Sequence, residues 1–378
     1  MRRLRAALAT LILGALLCPA PATAQHKKKN KKDEEPVTQT LPVLPDPPAA
    51  VVVETRRLGF LVAPLTTRGL LSQQVRDGIH TLWRLAGNAP LVKLRAFVAG
   101  TGDLRRVQTL VSEMFTEKHL TLPVLSVVQV GALPLAGAQV QLEAVFSEPR
   151  KPVNPHGLAF ISGQDASSDT TVTRMLPLAD TSIQHLQLAL KTAGADALRI
   201  SCFLTSLEDI DLVRAAFSTA FPGAPASFVQ TQRAPERSVS ECEAVARLHH
   251  PTPEPLRRLN PEGLRQSPAY SQIAVIGAER IVLAGAQIAF RYEEADARRA
   301  FTLLDKALAP LGSSLKHAAM LNTYPLSPLL AGLVRKVRFD YLDPKRPPAS
   351  TLLPFEGLPG MDAAFSLEVI TLLAADHP

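Results

Sequence analysis

The stretch Ala193–Gln230, AGADALRISCFLTSLEDIDLVRAAFSTAFPGAPASFVQ, carries the order of signals that decides the fold. Ala193-Gly194 is a turn, because glycine takes the left-handed backbone that other residues resist. Leu198–Leu204 is dense in branched and aromatic side chains and predicts a strand. Ser206-Leu-Glu-Asp209 has the spacing of a capping box, in which a side-chain oxygen accepts from a free helix N–H. Ile210, Val213 and Phe217 then lie on one helix face. Pro225 breaks that helix, a second strand follows, and Val239–Ala246 predicts a closing strand.

Two other segments repeat this order with most letters changed. In residues 54–148, Leu58–Pro64 predicts a strand and Val75, Ile79, Leu82 and Ala86 a helix face, with Trp83 in the core. Leu91–Ala99 predicts a buried strand, Val107, Leu110, Val111 and Phe115 a second helix, and Ser126–Val130 and Ala138–Phe146 two further strands. In residues 268–374, Gln272–Ile276 and Ile281–Ala284 predict a strand pair, and Phe301, Leu304 and Leu308 a helix face. Ala318–Thr323 is the next strand. Ser327-Pro328 opens a helix as N-cap and N1 proline, and Pro347-Pro348 breaks it. Ala363–Leu373 predicts the last strand. From turn glycine to breaking proline the separations are 36 residues (Gly87–Pro123), 31 (Gly194–Pro225) and 36 (Gly312–Pro348). Three copies of a strand–helix–strand–helix–strand unit, at 54–148, 157–248 and 268–374, suit a closed threefold ring.

The 378-residue chain is too long for one ordinary core. Its net charge of +7 sits mostly in residues 1–50, which hold eight Lys/Arg and four Asp/Glu, so the remainder is close to neutral and lacks the footprint expected for nucleic acid. Arg2, Arg3 and Arg5, the apolar run Ala6–Leu17 and Ala22-Thr23-Ala24 predict a Sec-type signal peptide over residues 1–24, hence a periplasmic or secreted protein with no membrane span after cleavage. Cys18 hints at lipidation, although Leu17 stands where lipoprotein signals carry a small residue. Residues 25–53, rich in Lys and Pro, predict a disordered tether. Cys202 and Cys242 fit either a disulfide or two buried thiols. Residues 147–156 and 249–267 read as linkers, and His249-His250 as a linker pair and not a metal site. No P-loop, zinc-protease helix or nucleophile elbow occurs, and nothing calls for a cofactor.

The middle segment resembles the RidA (YjgF, reactive intermediate deaminase A) family. The residues that carry the resemblance are Ser162-Gly163-Gln164, Ala193-Gly194, the run Ser201–Asp209, Pro225-Ala226-Ser227 and Glu241-Cys242-Glu243-Ala244. The third segment adds Pro268-Ala269-Tyr270-Ser271-Gln272 and Pro348-Ala349-Ser350-Thr351. The first matches in pattern only, at Pro123–Ser126 and Gln141–Ala144. The resemblance implies an α/β fold, a sheet with helices on one face: three tandem RidA-like (chorismate-mutase-like) domains forming an intramolecular pseudo-trimer, monomeric as a chain, with ligand clefts between units. In deaminating members an arginine after Pro-Ala grips a substrate carboxylate and a closing-strand glutamate positions water. Here the arginine position holds Leu125, Ser227 and Ser350, and the glutamate position Gln141, Glu241 and Ser366. The resemblance thus implies loss of the standard 2-iminoacid deaminase activity and a role in binding a small molecule or partner in a cleft. The alternative is a residual imine or enamine hydrolase. The candidate catalytic residues are Glu241 and Tyr270. The candidate ligand-binding residues are Gln164, Ser227, Gln287 and Ser350.

Overall fold

In the first segment the chain forms β1 (Ala50–Glu54), β2 (Leu58–Val62), α1 (Leu71–Leu85), β3 (Leu91–Ala99), α2 (Arg105–Glu117), β4 (Val124–Val130) and β5 (Val140–Ser147). The second forms β6 (Leu158–Ser168), α3 (Leu176–Ala193), β7 (Ala195–Leu204), α4 (Ile210–Ala220), β8 (Ala226–Gln230) and β9 (Ser238–Leu248). Then come β10 (Leu256–Leu259), β11 (Ile273–Ile276), β12 (Arg280–Ala284), β13 (Gln287–Phe290), α5 (Glu294–Leu308), β14 (Ser313–Pro325), α6 (Pro328–Val337), β15 (Ala349–Leu352) and β16 (Ala363–Leu373). This computed structural model describes residues 43–100 and 103–374. The signal sequence, Cys18 and the lysine-rich stretch of the tether lie outside the described residues. Residues 1–43 and 44–378 are separate units, and the fold is that of the second. Among the described residues no helix is long and apolar enough to cross a membrane.

The strands form three sheets, ordered β2-β5-β3-β4, β10-β11-β6-β9-β7-β8 and β1-β12-β16-β14-β15, with β13 also pairing β16. In each, the closing strand (β5, β9 or β16) runs antiparallel to a long strand (β3, β7 or β14), which pairs in parallel with a short one (β4, β8 or β15). A parallel pair needs a crossover, and α2, α4 and α6 supply it. The turn glycines Gly87, Gly194 and Gly312 have φ of 60°, 60° and 72°. A Cβ on any of them would meet nothing within 4 Å, so backbone conformation alone selects glycine there.

Each sheet packs its own helices through an apolar core; Trp83, against Phe115 at 5.1 Å, belongs to the first. Two further cores are shared by all three sheets. One gathers Phe60, Val145, Phe160, Val245, Ile281 and Met320, and the other Phe97, Phe203, Tyr324 and Phe355. Cys202 and Cys242 stand directly opposite across β7 and β9 and are joined as a disulfide.

Four local expectations are corrected. Ser206 does not cap α4. Its hydroxyl accepts only from the Glu208 N–H at 3.3 Å, while the Asp209 carboxylate accepts from the N–H groups of Met175 and Leu176 at 2.8 and 3.0 Å, capping the start of α3 instead. The strands at 272–276 and 281–284 do not pair with each other: β11 lies between β10 and β6, whereas β12 lies between β1 and β16. Crossing between sheets gives each short strand a partner for its backbone groups, which a two-stranded hairpin alone would leave half-satisfied. Ala50–Val53, read as tether, and Leu256–Leu259, read as linker, are strands for the same reason. Finally, α6 is capped by the Ser327 hydroxyl, which accepts from the Leu330 N–H at 3.2 Å, but it ends at Val337, well before Pro347.

Candidate functional site

Strand alternation turns every second side chain of the long strands toward the other sheets. On β3 these are Lys93, Arg95 and Phe97, on β7 Arg199, Ser201 and Phe203, and on β14 Met320, Asn322 and Tyr324. The closing strands set a glutamate opposite the middle residue of each trio: Arg95 faces Glu143, Ser201 faces Glu243 and Asn322 faces Glu368. The short strands set a hydroxyl on the other side, at Ser126, Ser227 and Thr351. Each hydroxyl donates to a glutamate of another sheet: Ser126 to Glu368, Ser227 to Glu143, and Thr351 to Glu243 at 2.7 Å. The hydrogen bonds therefore run in a cycle through all three sheets.

Arg95 sits at the middle of this cluster. Its guanidinium lies 2.6 Å from Glu143, 2.7 Å from Glu243 and 3.5 Å from Glu368, and it donates to Ser201 at 2.8 Å. Lys93 pairs with Glu368 at 2.9 Å and Arg199 approaches Glu143 at 3.6 Å. Three carboxylates thus face three cations. Burial alone would raise Glu368, but Lys93 and Arg95 overcome it and hold its carboxyl at about 2. Glu143 is likewise lowered, burial being outweighed by Arg95 and Arg199. The cavity among these groups is only about 40 Å³, room for a water but not for a metabolite. This cluster joins sheets; it is not a ligand site.

A larger cavity of about 470 Å³ opens between the second and third sheets. Its lining includes Gly163 and Asp165 from β6, Glu241 from β9, Tyr270 from the loop before β11, Ser350 from β15, and Arg335 and Arg338 at the end of α6 and just beyond; Arg237 and Arg265 also line it. Glu241 and Arg338 are buried, 8% and 2% exposed, whereas Arg237, Arg265 and Arg335 are exposed at the rim. Burial pushes the Glu241 carboxyl well above the usual carboxylate range, and the like charges of Asp165 and Glu243 push the same way against Arg335 and Arg237. Tyr270, half-buried, is raised by burial and by Asp165 and Glu241. Arg338 is lowered to about 10 by burial and by its neighbour Arg335, and its Nε and Nη2 have no hydrogen-bond partner.

Room for Glu241 depends on Gly163, since a Cβ there would lie 1.9 Å from a Glu241 carboxylate oxygen and 2.5 Å from its Cγ. Gly163→Ala is expected to swing that carboxyl out of its place while the sheet survives, because the obstructed atoms end a flexible side chain. An NMR titration of the carboxyl groups checks this: the raised carboxyl of the parent should return toward the ordinary range. An unmoved titration would show that the glycine does not position it.

Glu241, Tyr270 and Ser350 therefore line one cavity. Ser227 does not: it faces the central cluster, because its register partner is Ser201, and it shares that position with Ser126 and Thr351. Leu125 and Ser350 fall one residue earlier in register, with Ala226, so the alignment on Pro-Ala sets residues of opposite strand faces together. Gln164 is buried and donates to Gln272 at 2.7 Å and to the Ser162 carbonyl at 3.0 Å, tying β6 to the chain entering β11. Gln287 sits opposite Leu367 on β13, away from the cavity lining. The sequence reading missed the central cluster. Its signal was available: Lys93 and Arg95 two apart in an apolar strand, and a glutamate recurring at 143, 243 and 368 of the closing strands. Arg338 had no such signal, since a cation just after a helix end reads as an exposed partner of the helix dipole.

No family model and no curated protein matches the chain. Among solved structures it is similar over 32% of its length to 99% of a Rid-family protein of unknown function from Yersinia pestis, at 18% identity and a TM-score of 0.28. A similarity to RidA from an Antarctic Psychrobacter covers 25% of this chain and 80% of that one, at 19% identity and a TM-score of 0.23. For a YjgF-family protein from Neisseria meningitidis the figures are 31% and 94%, at 14% identity and a TM-score of 0.24. The structural neighbours are RidA/YjgF-family structures.

Proposed function

We propose that this is an exported RidA-like protein of three tandem copies forming an intramolecular pseudo-trimer, whose cleft between the second and third sheets binds a small anionic molecule without the standard 2-iminoacid deaminase chemistry. The observation that carries this reading is that a buried Glu241, its carboxyl pushed well above the usual carboxylate range, and a buried Arg338 without an ion-pair partner among the described residues line the same cavity. An acid kept neutral donates a hydrogen bond to a ligand, and a desolvated guanidinium favours an anion. The position aligned with the family arginine in the middle copy is Ser227, which is engaged with Glu143 and has no charge to offer a substrate.

A second reading is favoured by Glu241 itself. Hydrolysis of an imine adds water to its carbon and expels ammonia, and a carboxyl of raised pKa suits proton donation to the departing nitrogen. Assay of a freshly generated 2-iminoacid separates the two. The expected result is ammonia release no faster than in buffer; enzyme-dependent release lost in Glu241→Gln would establish the hydrolase. The same variant tests the burial argument. Above the ordinary carboxylate pKa the unfolded chain gives up a proton that folded Glu241 retains, so this residue lowers stability as pH rises. Glu241→Gln is therefore expected to stabilise the protein at pH 7 in urea unfolding. A destabilised variant would contradict the raised pKa.

A further inference from the structure

We infer that this cavity binds a small molecule carrying two anionic groups, one taken at depth by Arg338 and the other at the rim by Arg237 and Arg335. The inference rests on the cleft being a ligand site, as proposed above, and adds the class of ligand. Four arginines line the cavity. Opposite them stand two carboxyl groups, of which Asp165 lies 3.6 Å from Arg265 and Glu241, buried, forms no ion pair among the described residues. Arg237, Arg335 and Arg338 thus keep three positive charges without an ion-pair partner among the described residues.

The two places differ physically. Arg338 is 2% exposed, and two of its nitrogens are buried without any acceptor, which leaves their desolvation uncompensated. A planar guanidinium in that state is completed by a carboxylate or phosphate, which returns two acceptors at once. Arg237 and Arg335 are exposed, on two different sheets' chain segments, and converge on the same opening. The rim is common to an adjoining hollow of about 190 Å³ lined by Phe203, Thr205, Pro328 and Leu353, which leaves space for the body of a ligand longer than one anionic group. A single small monoanion would satisfy Arg338 and leave the rim pair without a counter-charge. Two anionic groups neutralise both.

The test is calorimetric titration of the full chain with 2-oxobutyrate, 2-oxoglutarate and 3-phosphoglycerate at fixed ionic strength. The two-anion probes are expected to bind about tenfold tighter or more than 2-oxobutyrate, tenfold being about 1.4 kcal/mol. Whichever of 2-oxoglutarate and 3-phosphoglycerate binds tighter distinguishes a dicarboxylate from a phosphate-bearing ligand. Arg338→Met should weaken all three probes by at least about tenfold, and Arg338→Lys should recover part of the loss. Arg237→Ser with Arg335→Ser should leave 2-oxobutyrate unchanged and erase the advantage of the two-anion probes. These rim substitutions are exposed, so they decide the matter even where Arg338→Met fails to fold. Equal affinity for one- and two-anion probes overturns the inference and leaves the binding cleft standing. No heat with any probe overturns both.

Discussion

Arg95→Met is expected to destabilise the folded chain by about 3–5 kcal/mol at pH 7, a large share of the 5–15 kcal/mol typical of a native protein. Arg95 is 3% exposed and touches glutamates from all three sheets. Without it, three buried carboxylates retain only Lys93 and Arg199, and Glu243 keeps hydroxyl and amide donors alone, from Thr351 and Asn322. Desolvation of an ion is offset by a close partner; remove the partner and the penalty stands. Urea unfolding reads the effect, and a loss below about 1 kcal/mol would show that the cluster is not a keystone. A second variant separates charge balance from packing. Replacing Arg95 and Glu243 together by apolar residues of similar size should cost far less than Arg95→Met, since Lys93 then still pairs with Glu368 and Arg199 with Glu143.

Stability should also fall steeply in acid. Glu368 is held at about 2 in the fold against a reference of 4.5, so its contribution is present above the ordinary carboxylate pKa and is lost as pH falls from there toward 2. The integrated loss is about 3 kcal/mol from this residue, at roughly 1.4 kcal/mol per unit, and Glu143 adds in the same direction. Glu241 works the other way. It gains relative stability as pH falls from neutral to the ordinary carboxylate value, because the unfolded chain then takes up the proton the fold already holds. The profile expected from urea midpoints between pH 8 and pH 2 rises gently into mild acid and then collapses. In Glu241→Gln the gentle rise should vanish and the acid collapse remain. A flat profile between pH 5 and pH 2 would contradict the depressed carboxyls of the central cluster.

One closing strand carries two glutamates in different surroundings. Glu241 and Glu243 are two apart on β9 and point the same way, yet they meet different neighbours. Glu243 reaches Arg95 from the first sheet, whereas Glu241, one pleat further, faces Asp165 and a cavity whose nearest cations are at the rim.

Much of the architecture was legible along the chain. Leu91–Ala99 and Ala363–Leu373 are strands with the bounds that their largely apolar runs predict, and Gly87, Gly194 and Gly312 have the positive φ that their places after a helix require. Helix faces at 75–86, 107–115 and 301–308 followed from their periodicity. These are local matters: period, turn chemistry and propensity act over a few residues. Which strand pairs with which was not local. Gln272–Ile276 and Ile281–Ala284 satisfy any strand partner equally well, and only the packed sheets decide that they part. Asp209 carries the same letters whether it caps its own helix or α3. The sequence by itself thus determined most strands, helix faces and turn glycines. Tertiary structure alone decided that Ser227 faces the central cluster, that Lys93 and Arg95 balance glutamates more than a hundred positions away, and that Arg338 is buried without an ion-pair partner among the described residues. Charge, burial and desolvation depend on what lies across the fold, and no spacing along the chain encodes that.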